Sequence, residues 1–288
     1  MLEVLGTGPL STVQDLGRPG HAGIGVGVSG AADRGSLRLA NRLVGNAEGD
    51  AAIEATLGGL AVRPSRDVVM SVTGAPCPIT VDGRGAAMNS VLRIPAGAEV
   101  RLGVPARGLR SYLAVRGGIA VDPVLGSRST DLLAGLGPDK LRTGMVLPTG
   151  PPPAEFPVVD LAPVAAPPDE LVLGVVPGPR QDWFTADALD VLLTSSYEVT
   201  ADSNRIGMRL DGPALDRIRT EELPSEGMVA GALQVPPASK PTLFLADHPV
   251  TGGYPVIAVV TSADVDRAAQ ARPGQRIRFR RVPSRRLR

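Results

Sequence analysis

The stretch GIGVGVSGAADRGSLRLANRLVGN, residues 23–46, decides between two fold classes. Gly25, Gly27 and Gly30 spell G-x-G-x-x-G, and Glu54 follows where a dinucleotide-binding unit keeps its ribose-binding acid. That fingerprint requires a buried parallel strand that delivers the first glycine directly into a helix. The preceding residues, QDLGRPGHAG, contain Pro19 and several polar side chains, which make a poor central strand. We therefore interpret the stretch as a glycine-rich loop or edge strand.

The residues after this loop predict a helix over about 31–44. Leu37 and Val44 fall on one helical face, and Ser29 or Asp33 precedes that face as a capping residue. The capped helix is a local feature and does not depend on nucleotide binding.

Two further segments also have helical signals. The first covers about 185–193, where Thr185 is a candidate cap, and the second covers about 262–271. Thr261 and Asp264 have the spacing of a capping box at the start of the second. Three short helices in so long a chain leave most of the core to strands.

The composition favours a mainly-β architecture. The 288 residues are 43% hydrophobic with a formal net charge of +1, as in ordinary soluble globular proteins. The chain has 35 glycines and 28 prolines between short Val/Leu/Ile runs, which predicts many strands joined by tight turns. Asp82-Gly83, between two extended segments, predicts one such hairpin turn. Only four Phe, three Tyr and one Trp are present, so the core must be aliphatic.

The length predicts two domains, because single hydrophobic cores stop growing near this size. The segment 151–170 has seven prolines in twenty residues and is interpreted as a linker. The predicted parts are an N-terminal domain over 1–150, the linker over 151–170, a C-terminal domain over 171–284, and a basic tail over 285–288. The arginine-rich end of the chain is interpreted as a solvated edge strand and tail, not as a nucleic-acid-binding segment, because it lacks interleaved aromatics.

Cysteine and histidine usage argues against a metal centre. Cys77 is the single cysteine, and His21 and His248 are the only histidines, so no disulfide framework and no zinc site is expected. The N-terminus lacks the features of a signal peptide, and no apolar run is long enough to span a bilayer. These observations predict a cytoplasmic protein that has no membrane partner.

A series of motifs along the chain resembles the allophanate hydrolase subunit 2 family, which includes the C subunit of prokaryotic 5-oxoprolinase and the matching half of the urea amidolyase carboxyltransferase domain. The blocks that carry the resemblance occur in the expected order: TVQDLGRPG (12–20), SGAAD (29–33), ANRLVGN (40–46), RGGI (116–119), LGSRST (125–130), NRIGMRL (204–210), SEG (225–227), GALQVP (231–236), AD (246–247) and TGGYP (251–255).

The resemblance implies a fold and a set of partners. The fold is two tandem cyclophilin-like β-barrel domains with a few short helices. The partners are an allophanate hydrolase subunit 1-like sister subunit and a third subunit, which together open the lactam of 5-oxoproline to glutamate at the expense of ATP. Such a hydrolase subunit, which acts on the C–N bond of a cyclic amide, is expected to be inactive alone.

The sequence also bears on cofactors. Lys140 and Lys240 are the only lysines, and neither stands in a G-x-x-x-x-G-K-[ST] loop or beside a methionine. ATP is therefore expected to bind mainly to the partner subunits, no cofactor is expected to be attached covalently, and biotin is possible only on a separate protein.

The segment LADHPVTGGYP, 245–255, is the richest candidate site. An acid at the end of an apolar run is followed by two glycines, which allow backbone N–H groups to approach a substrate. The predicted catalytic residues are Asp247 as general base, with Thr251 and Tyr254 as hydrogen-bond donors. The predicted substrate contacts here are His248, Gly252 and Gly253, together with Gln234 from the otherwise apolar run GALQVPP. The alternative is that Asp247 caps a turn that the glycines make.

A second candidate patch near the N-terminus contains Gln14, Asp15, Arg18, Ser29 and Asp33. Arg18 has the chemistry to bind the carboxylate of 5-oxoproline through two parallel hydrogen bonds. The alternative is an Asp15–Arg18 pair that holds the loop.

Three functions remain open at this level. The first is a 5-oxoprolinase-type amide hydrolase subunit. The second is the carboxyltransferase half of a urea-degrading system. The third is a regulatory partner that sequesters a kinase-inhibiting sister subunit.

Overall fold

The chain folds as two units, seen in a computed structural model that describes residues 1–283. Unit 1 consists of residues 1–19 and 29–167, and unit 2 consists of residues 20–28 and the residues from 168 onward. The proline-rich segment 151–170 is therefore divided between the units after Pro167. The predicted basic tail, 285–288, lies outside the described residues.

Unit 1 contains eleven strands and one helix. Their bounds are β1 (Leu2–Thr7), β2 (Leu10–Gln14), α1 (Arg34–Leu43), β3 (Ala52–Thr56), β4 (Leu60–Pro64), β5 (Val68–Gly74), β6 (Ile79–Val81), β7 (Arg84–Ala86), β8 (Leu92–Ile94), β9 (Val100–Leu102), β10 (Arg110–Val115) and β11 (Val146–Leu147). The strands form a six-stranded sheet in the order β11-β1-β4-β9-β6-β7 and a five-stranded sheet in the order β2-β3-β10-β5-β8.

The five-stranded sheet is covered on both faces. Because successive side chains of a strand point to opposite faces, Leu113 and Val115 of β10 join a core shared with the six-stranded sheet. Tyr112 and Ala114 of the same strand pack instead in the cluster that contains Leu37 of α1. All six residues of β10 are buried for this reason.

Helix α1 confirms the helix predicted from the opening stretch. Its N-cap is Asp33, whose side chain accepts a hydrogen bond from the Ser36 N–H at 2.9 Å. Ser29 lies before the cap in a left-handed conformation, with φ of 53°. The glycine motif belongs to a loop that contains a short 3-10 turn, Ala22–Ile24, and not to a strand. The rejection of the dinucleotide fingerprint agrees with this geometry.

The Asp82-Gly83 hairpin is also confirmed. Val81 pairs with Arg84 across the turn, and Asp82 and Gly83 both have positive φ, 47° and 76°. Positive φ at both central residues is the requirement of a type I′ turn, whose twist matches that of the flanking strands.

Arg116 attaches the first part of the proline-rich segment to unit 1. Its guanidinium donates to the carbonyl oxygens of Val44 at 2.7 Å, Pro153 at 2.6 Å and Glu155 at 2.7 Å. The Phe156 ring lies 4.6 Å from the same guanidinium. Residues 151–156 are thus held by contacts within unit 1.

Unit 2 contains nine strands and two helices. Their bounds are β12 (Glu170–Pro177), α2 (Ala188–Thr194), β13 (Ser196–Val199), β14 (Gly207–Asp211), β15 (Glu226–Gly227), β16 (Ala232–Gln234), β17 (Thr242–Phe244), β18 (Thr251–Gly252), β19 (Val256–Val260), α3 (Ser262–Ala268) and β20 (Arg276–Arg281).

Seven of these strands close a barrel in the order β12-β19-β16-β17-β14-β13-β20, and a parallel pairing of β12 with β20 completes the ring. Leu171, Leu173 and Val175 of β12 alternate into its aliphatic core. The predicted mainly-β fold is confirmed, with the closed barrel in unit 2 and two separate sheets in unit 1. Within residues 1–283, every helix is too short or too polar to span a bilayer.

The predicted cap of α2 is wrong, because Asp187, not Thr185, occupies the N-cap, and its side chain makes no capping hydrogen bond. Thr261 is the N-cap residue of α3, as predicted, but it makes no side-chain capping bond to the helix backbone. Its hydroxyl donates instead to Asp264 Oδ2 at 3.2 Å, and the same oxygen accepts from the Gly174 N–H of β12 at 2.7 Å.

Asp33 makes a side-chain capping bond and Asp187 does not, so the two N-cap residues provide a matched test. We expect Asp33→Ala to lower the local stability of α1 by about 1 kcal/mol, since an N–H at the helix start loses its acceptor. Hydrogen–deuterium exchange of residues 34–43 should then accelerate about fivefold. Asp187→Ala, which removes no capping bond, should leave exchange of 188–194 unchanged. Equal effects in the two helices would contradict the assigned cap.

Candidate functional site

The predicted segment 245–255 lies in unit 2, between β17 and β19. It contains the short strand β18, in which Thr251 pairs with Gly227 and Gly252 pairs with Glu226 of β15. The Ser225-Glu226-Gly227 motif therefore supplies the partner strand of this segment.

Asp247 is buried and paired with Arg205. Arg205 Nε donates to Asp247 Oδ2 at 2.9 Å, and Nη2 donates to Oδ1 at 3.0 Å. The two side chains are 1% and 0% exposed, so the pair is removed from water on all sides. Two parallel hydrogen bonds of this kind fix both the distance and the orientation of the partners.

The glycines of the segment permit close packing. A Cβ on Gly252 would lie 2.7 Å from Gln234 Nε2 and 3.1 Å from Met228 Cγ. Gly253 has more room, because a Cβ added there would lie 3.5 Å from its nearest neighbour, the Leu223 carbonyl oxygen. Gly252 is therefore required because Gln234 occupies the space of a side chain.

His248 is held within unit 2 as well. Its Nδ1 lies 2.8 Å from the Pro249 carbonyl oxygen, and its ring stacks on Phe244 with centroids 6.2 Å apart. The glycine-rich loop 20–28 reaches the same residue, because a Cβ on Gly27 would lie 3.4 Å from the His248 carbonyl oxygen.

A cleft of about 200 Å³ lies beside this segment, on the outer face of the barrel. Met208, Leu233 and Leu243 point into the barrel core, so their neighbours along β14, β16 and β17 point outward. The register places Arg209 beside Thr242 and Thr242 beside Gln234. The lining residues are Asn204, Ile206, Gly207, Arg209, Gln234, Pro236, Thr242, Phe244 and Tyr254.

The cleft is lined by two amides, Asn204 and Gln234, and one cation, Arg209. Asn204 Oδ1 is engaged by the Ile206 and Gly207 N–H groups at 2.8 and 3.2 Å. Gln234 Nε2 donates to the Tyr254 carbonyl oxygen at 3.1 Å, which fixes the orientation of the side-chain amide. Within residues 1–283, the Arg209 guanidinium has no ion pair, and Asp211 of the same strand pairs with Lys240 at 2.9 Å. A neutral amide and an uncompensated guanidinium suit a small ligand that carries an amide and a carboxylate.

Sequence reasoning missed the ion pair between Arg180 and Glu226. Arg180 Nε donates to Glu226 Oε2 at 3.1 Å, and Nη2 contacts the other oxygen. The hydrogen bond from Arg180 lowers the pKa of Glu226. The pair adjoins β18 through Glu226, and no local pattern links residues so distant in the chain.

The second predicted patch lies inside unit 1. Asp15 is buried, and its Oδ1 accepts from the Gly17 N–H at 2.7 Å, Ser127 Oγ at 2.6 Å and Ser129 Oγ at 2.5 Å. Its Oδ2 accepts from the Arg128 N–H at 2.6 Å. The carboxylate thus binds its own loop to residues 127–129.

Arg18 and Gln14 belong to the same interior network. Arg18 is 1% exposed, donates through Nη2 to the Ser129 carbonyl oxygen, and lies 3.7 Å from Asp131 Oδ2. The predicted Asp15–Arg18 pair is wrong, because each has a different partner. Gln14 Nε2 donates to the Thr130 carbonyl oxygen at 2.9 Å, and Ser29 Oγ lies 3.5 Å from that oxygen.

Asp33, the last residue of this patch, touches a buried chain of hydrogen bonds. Its N–H donates to the Tyr112 hydroxyl at 2.8 Å, and that hydroxyl donates to Glu54 Oε2 at 2.7 Å. Burial, and then the nearby carboxylates of Glu54 and Asp33, raise the pKa of Tyr112 well above its usual range. The phenol therefore remains a donor, and Glu54, which has the spacing of a ribose ligand, is used within the fold.

The structure thus separates the predicted site residues into two sets. Gln234, Tyr254, Thr251, Gly252, Gly253, Asp247 and His248 lie in unit 2, whereas Gln14, Asp15, Arg18, Ser29 and Asp33 lie in unit 1. In the described part of the chain, no three His, Cys, Asp or Glu side chains are grouped as a metal site would need.

The chain is a mainly-β protein with a cleft on the outer face of its barrel, where Arg209 and Gln234 lie among largely apolar neighbours. Residues 24–281 match the family model of the carboxyltransferase domain, subdomain A and B. The chain belongs to this family.

The relatives include a subunit of 5-oxoprolinase and a urea amidolyase. The chain is 38% identical to the C subunit of 5-oxoprolinase from Escherichia coli (strain K12), with 97% of this chain and 90% of that one aligned. It superimposes on the K. lactis urea amidolyase with a TM-score of 0.91 at 31% identity, covering 96% of this chain and 18% of that one. It superimposes on TTHA0988 with a TM-score of 0.88 at 34% identity, covering 97% of this chain and 55% of that one. The chain therefore spans about half of the TTHA0988 chain and a smaller part of the amidolyase.

The Arg205–Asp247 pair predicts a defined pattern of stabilities. We expect Asp247→Ala to lower the free energy of unfolding of unit 2 by about 3–5 kcal/mol, because the buried Arg205 guanidinium loses the carboxylate that accepts two of its hydrogen bonds. The double variant Arg205→Met/Asp247→Leu should recover most of that loss, because no charge remains buried. Trp183, the one tryptophan of the chain, lies in the unit 2 core and reports unfolding in urea by its fluorescence. A double variant no more stable than the single one would contradict the pairing as the cause.

Proposed function

We propose that this chain is the C-type subunit of a 5-oxoprolinase complex, which opens the lactam of 5-oxoproline to glutamate with ATP as co-substrate. The observation that carries the proposal is the 38% identity to the C subunit of the Escherichia coli 5-oxoprolinase over almost the whole of both chains. The chemistry of the unit 2 cleft supports it independently, because the ligand has the two groups that the cleft complements.

The cleft can hold 5-oxoproline by its carboxylate and its lactam. Arg209 has a guanidinium available for the carboxylate. Gln234, whose Nε2 is engaged by Tyr254, offers Oε1 to accept from the lactam N–H. The volume of about 200 Å³ is below that of sites for drug-sized molecules and suits a single five-membered ring.

The reaction needs activation because an amide nitrogen is a poor leaving group. Transfer of the γ-phosphoryl group of ATP to the lactam oxygen, followed by addition of water to the carbon, breaks the C–N bond. The nitrogen then takes a proton, and a second water molecule hydrolyses the resulting acyl phosphate, which yields glutamate, ADP and phosphate. In this scheme Tyr254, which lines the cleft, donates a hydrogen bond to the substrate, whereas Thr251, predicted in the same role, is not among the lining residues.

Asp247 acts in this proposal as a positioning residue. Both of its oxygens accept from Arg205, so they are directed away from a base role and toward holding segment 245–255. Gln14, Asp15, Arg18, Ser29 and Asp33 support the fold of unit 1 in the same way.

The remaining parts of the assembly are proposed from the family. They are a sister subunit of the allophanate hydrolase subunit 1 type and a third subunit, which join this chain in the cytoplasm. ATP binds mainly to those partners, no cofactor is attached covalently to this chain, and biotin enters only on a separate protein.

A second function is favoured by one observation. The TM-score of 0.91 to the K. lactis urea amidolyase is as high as a close structural relative would give, and supports a carboxyltransferase role in urea degradation. In that case the cleft would receive carboxybiotin carried by another chain.

The decisive experiment measures glutamate released from 5-oxoproline and ATP by the three subunits together, with each omitted in turn. Activity that requires this chain would establish it as an essential subunit. A stable complex of all three subunits without glutamate release would contradict the proposal, and a carboxylation assay with carboxybiotin carrier and urea would then test the second function.

Arg209 provides the test of the cleft. In the assembled complex we expect Arg209→Gln to raise the KM for 5-oxoproline about tenfold with little change in kcat, since it removes ground-state binding of the carboxylate. Arg276→Gln is the matched control, because Arg276 is exposed on β20 and does not line the cleft. An unchanged KM in Arg209→Gln, with the complex intact, would remove this cleft from substrate binding.

A further inference from the structure

A larger cavity lies in unit 1 and has no part in the proposed reaction. Its volume is about 410 Å³, within the range of sites that bind small ligands. It opens between the start of β5, the end of β8 and the residues that follow β10. Its lining includes Arg66, Asp67, Val69, Arg93, Ile94 and Arg116.

The cavity is positively charged. It brings Arg66, Arg93 and Arg116 together, and Asp67 is its one acidic lining residue. Asp67 Oδ1 accepts from the Ala96 N–H at 2.8 Å. Within residues 1–283, none of the three guanidinium groups has an ion pair with a carboxylate, whereas Arg63 and Arg101 of the same unit do. A concave site of one charge concentrates its field and attracts ions of the opposite sign.

The three arginines differ in how many donors they retain. Arg116 is fixed by its bonds to the carbonyl oxygens of Val44, Pro153 and Glu155. Arg66 donates only through Nη2, to Thr149 Oγ1 at 3.3 Å and to the Gly150 carbonyl oxygen at 3.4 Å. The guanidinium of Arg93 donates no hydrogen bond to any of the described residues.

The Phe156 ring contacts two of these arginines. Its centroid lies 5.3 Å from the Arg93 guanidinium and 4.6 Å from that of Arg116. Arg93 is therefore held beside the cavity by stacking while its hydrogen-bond donors stay available. A guanidinium held in this way loses less entropy when it binds a ligand.

We infer that this cavity binds the phosphate group of a small phosphorylated ligand. A tetrahedral dianion accepts from several guanidinium donors at once, and two available arginines beside a third fixed one match that requirement. The apolar side chains of Val69 and Ile94 leave room for the uncharged part of the ligand. The site is separate from the Arg209 cleft and does not depend on the proposed function.

Titration calorimetry with pyrophosphate on the full chain tests the site. We expect Arg93→Gln and Arg66→Gln each to raise the Kd at least about tenfold. Arg84→Gln is the matched control: Arg84 is exposed in β7, and the variant loses the same charge without touching the cavity. The titrations are run at low salt and at about 0.15 M, where the Debye length of about 8 Å screens non-specific attraction.

Two competitors define the ligand class. Inorganic phosphate should displace pyrophosphate, whereas citrate, a tricarboxylate, should compete at least about tenfold more weakly, because each of its carboxylates presents two acceptor oxygens to the three guanidinium groups and a terminal phosphate presents three. No binding, equal losses in Arg93→Gln and Arg84→Gln, or citrate as strong as pyrophosphate would overturn the inference. Each result leaves the glutamate-release assay unaffected, so the two proposals fail independently.

Discussion

The buried ion pair of Arg205 with Asp247 is the constraint on which the barrel cleft depends. Removing two charges from water is costly, and the cost is offset only when the partners meet in good geometry. Arg205 precedes β14, and Asp247 follows β17. The two parallel hydrogen bonds therefore align the ends of two adjacent strands whose outward side chains form the cleft.

Unit 1 also contains a buried carboxylate that is satisfied within the fold, that of Asp15. Asp15 accepts hydrogen bonds from its own loop and from residues 127–129. Arg18 pairs with Asp131 and not with Asp15. The polar residues of the TVQDLGRPG motif are thus enclosed by the loops that they join. A motif rich in charged side chains can serve the interior as readily as the surface, provided that every charge finds a partner.

Five arginines of the described chain fall into two groups when their partners are compared. Arg18, Arg205 and Arg116 are engaged by carboxylates or carbonyl oxygens and hold segments in place. Arg209 and Arg93 line concave surfaces with no carboxylate partner in the described chain. This contrast separates the arginines that stabilise the fold from those that are available to ligands, although the chain as a whole has a net charge of only +1.

The features that the sequence by itself determined are those set by neighbours along the chain. The Asp82-Gly83 hairpin depends on the φ angles of two adjacent residues, and α1 depends on a cap and on apolar spacing within one segment. The mainly-β class likewise follows from composition and turns. Tertiary structure alone decided that Arg205 pairs with Asp247, that Asp15 binds Ser127 and Ser129, and that Arg209 and Gln234 share one cleft. Those contacts join residues far apart in the chain, and their energies depend on burial, which no local pattern specifies.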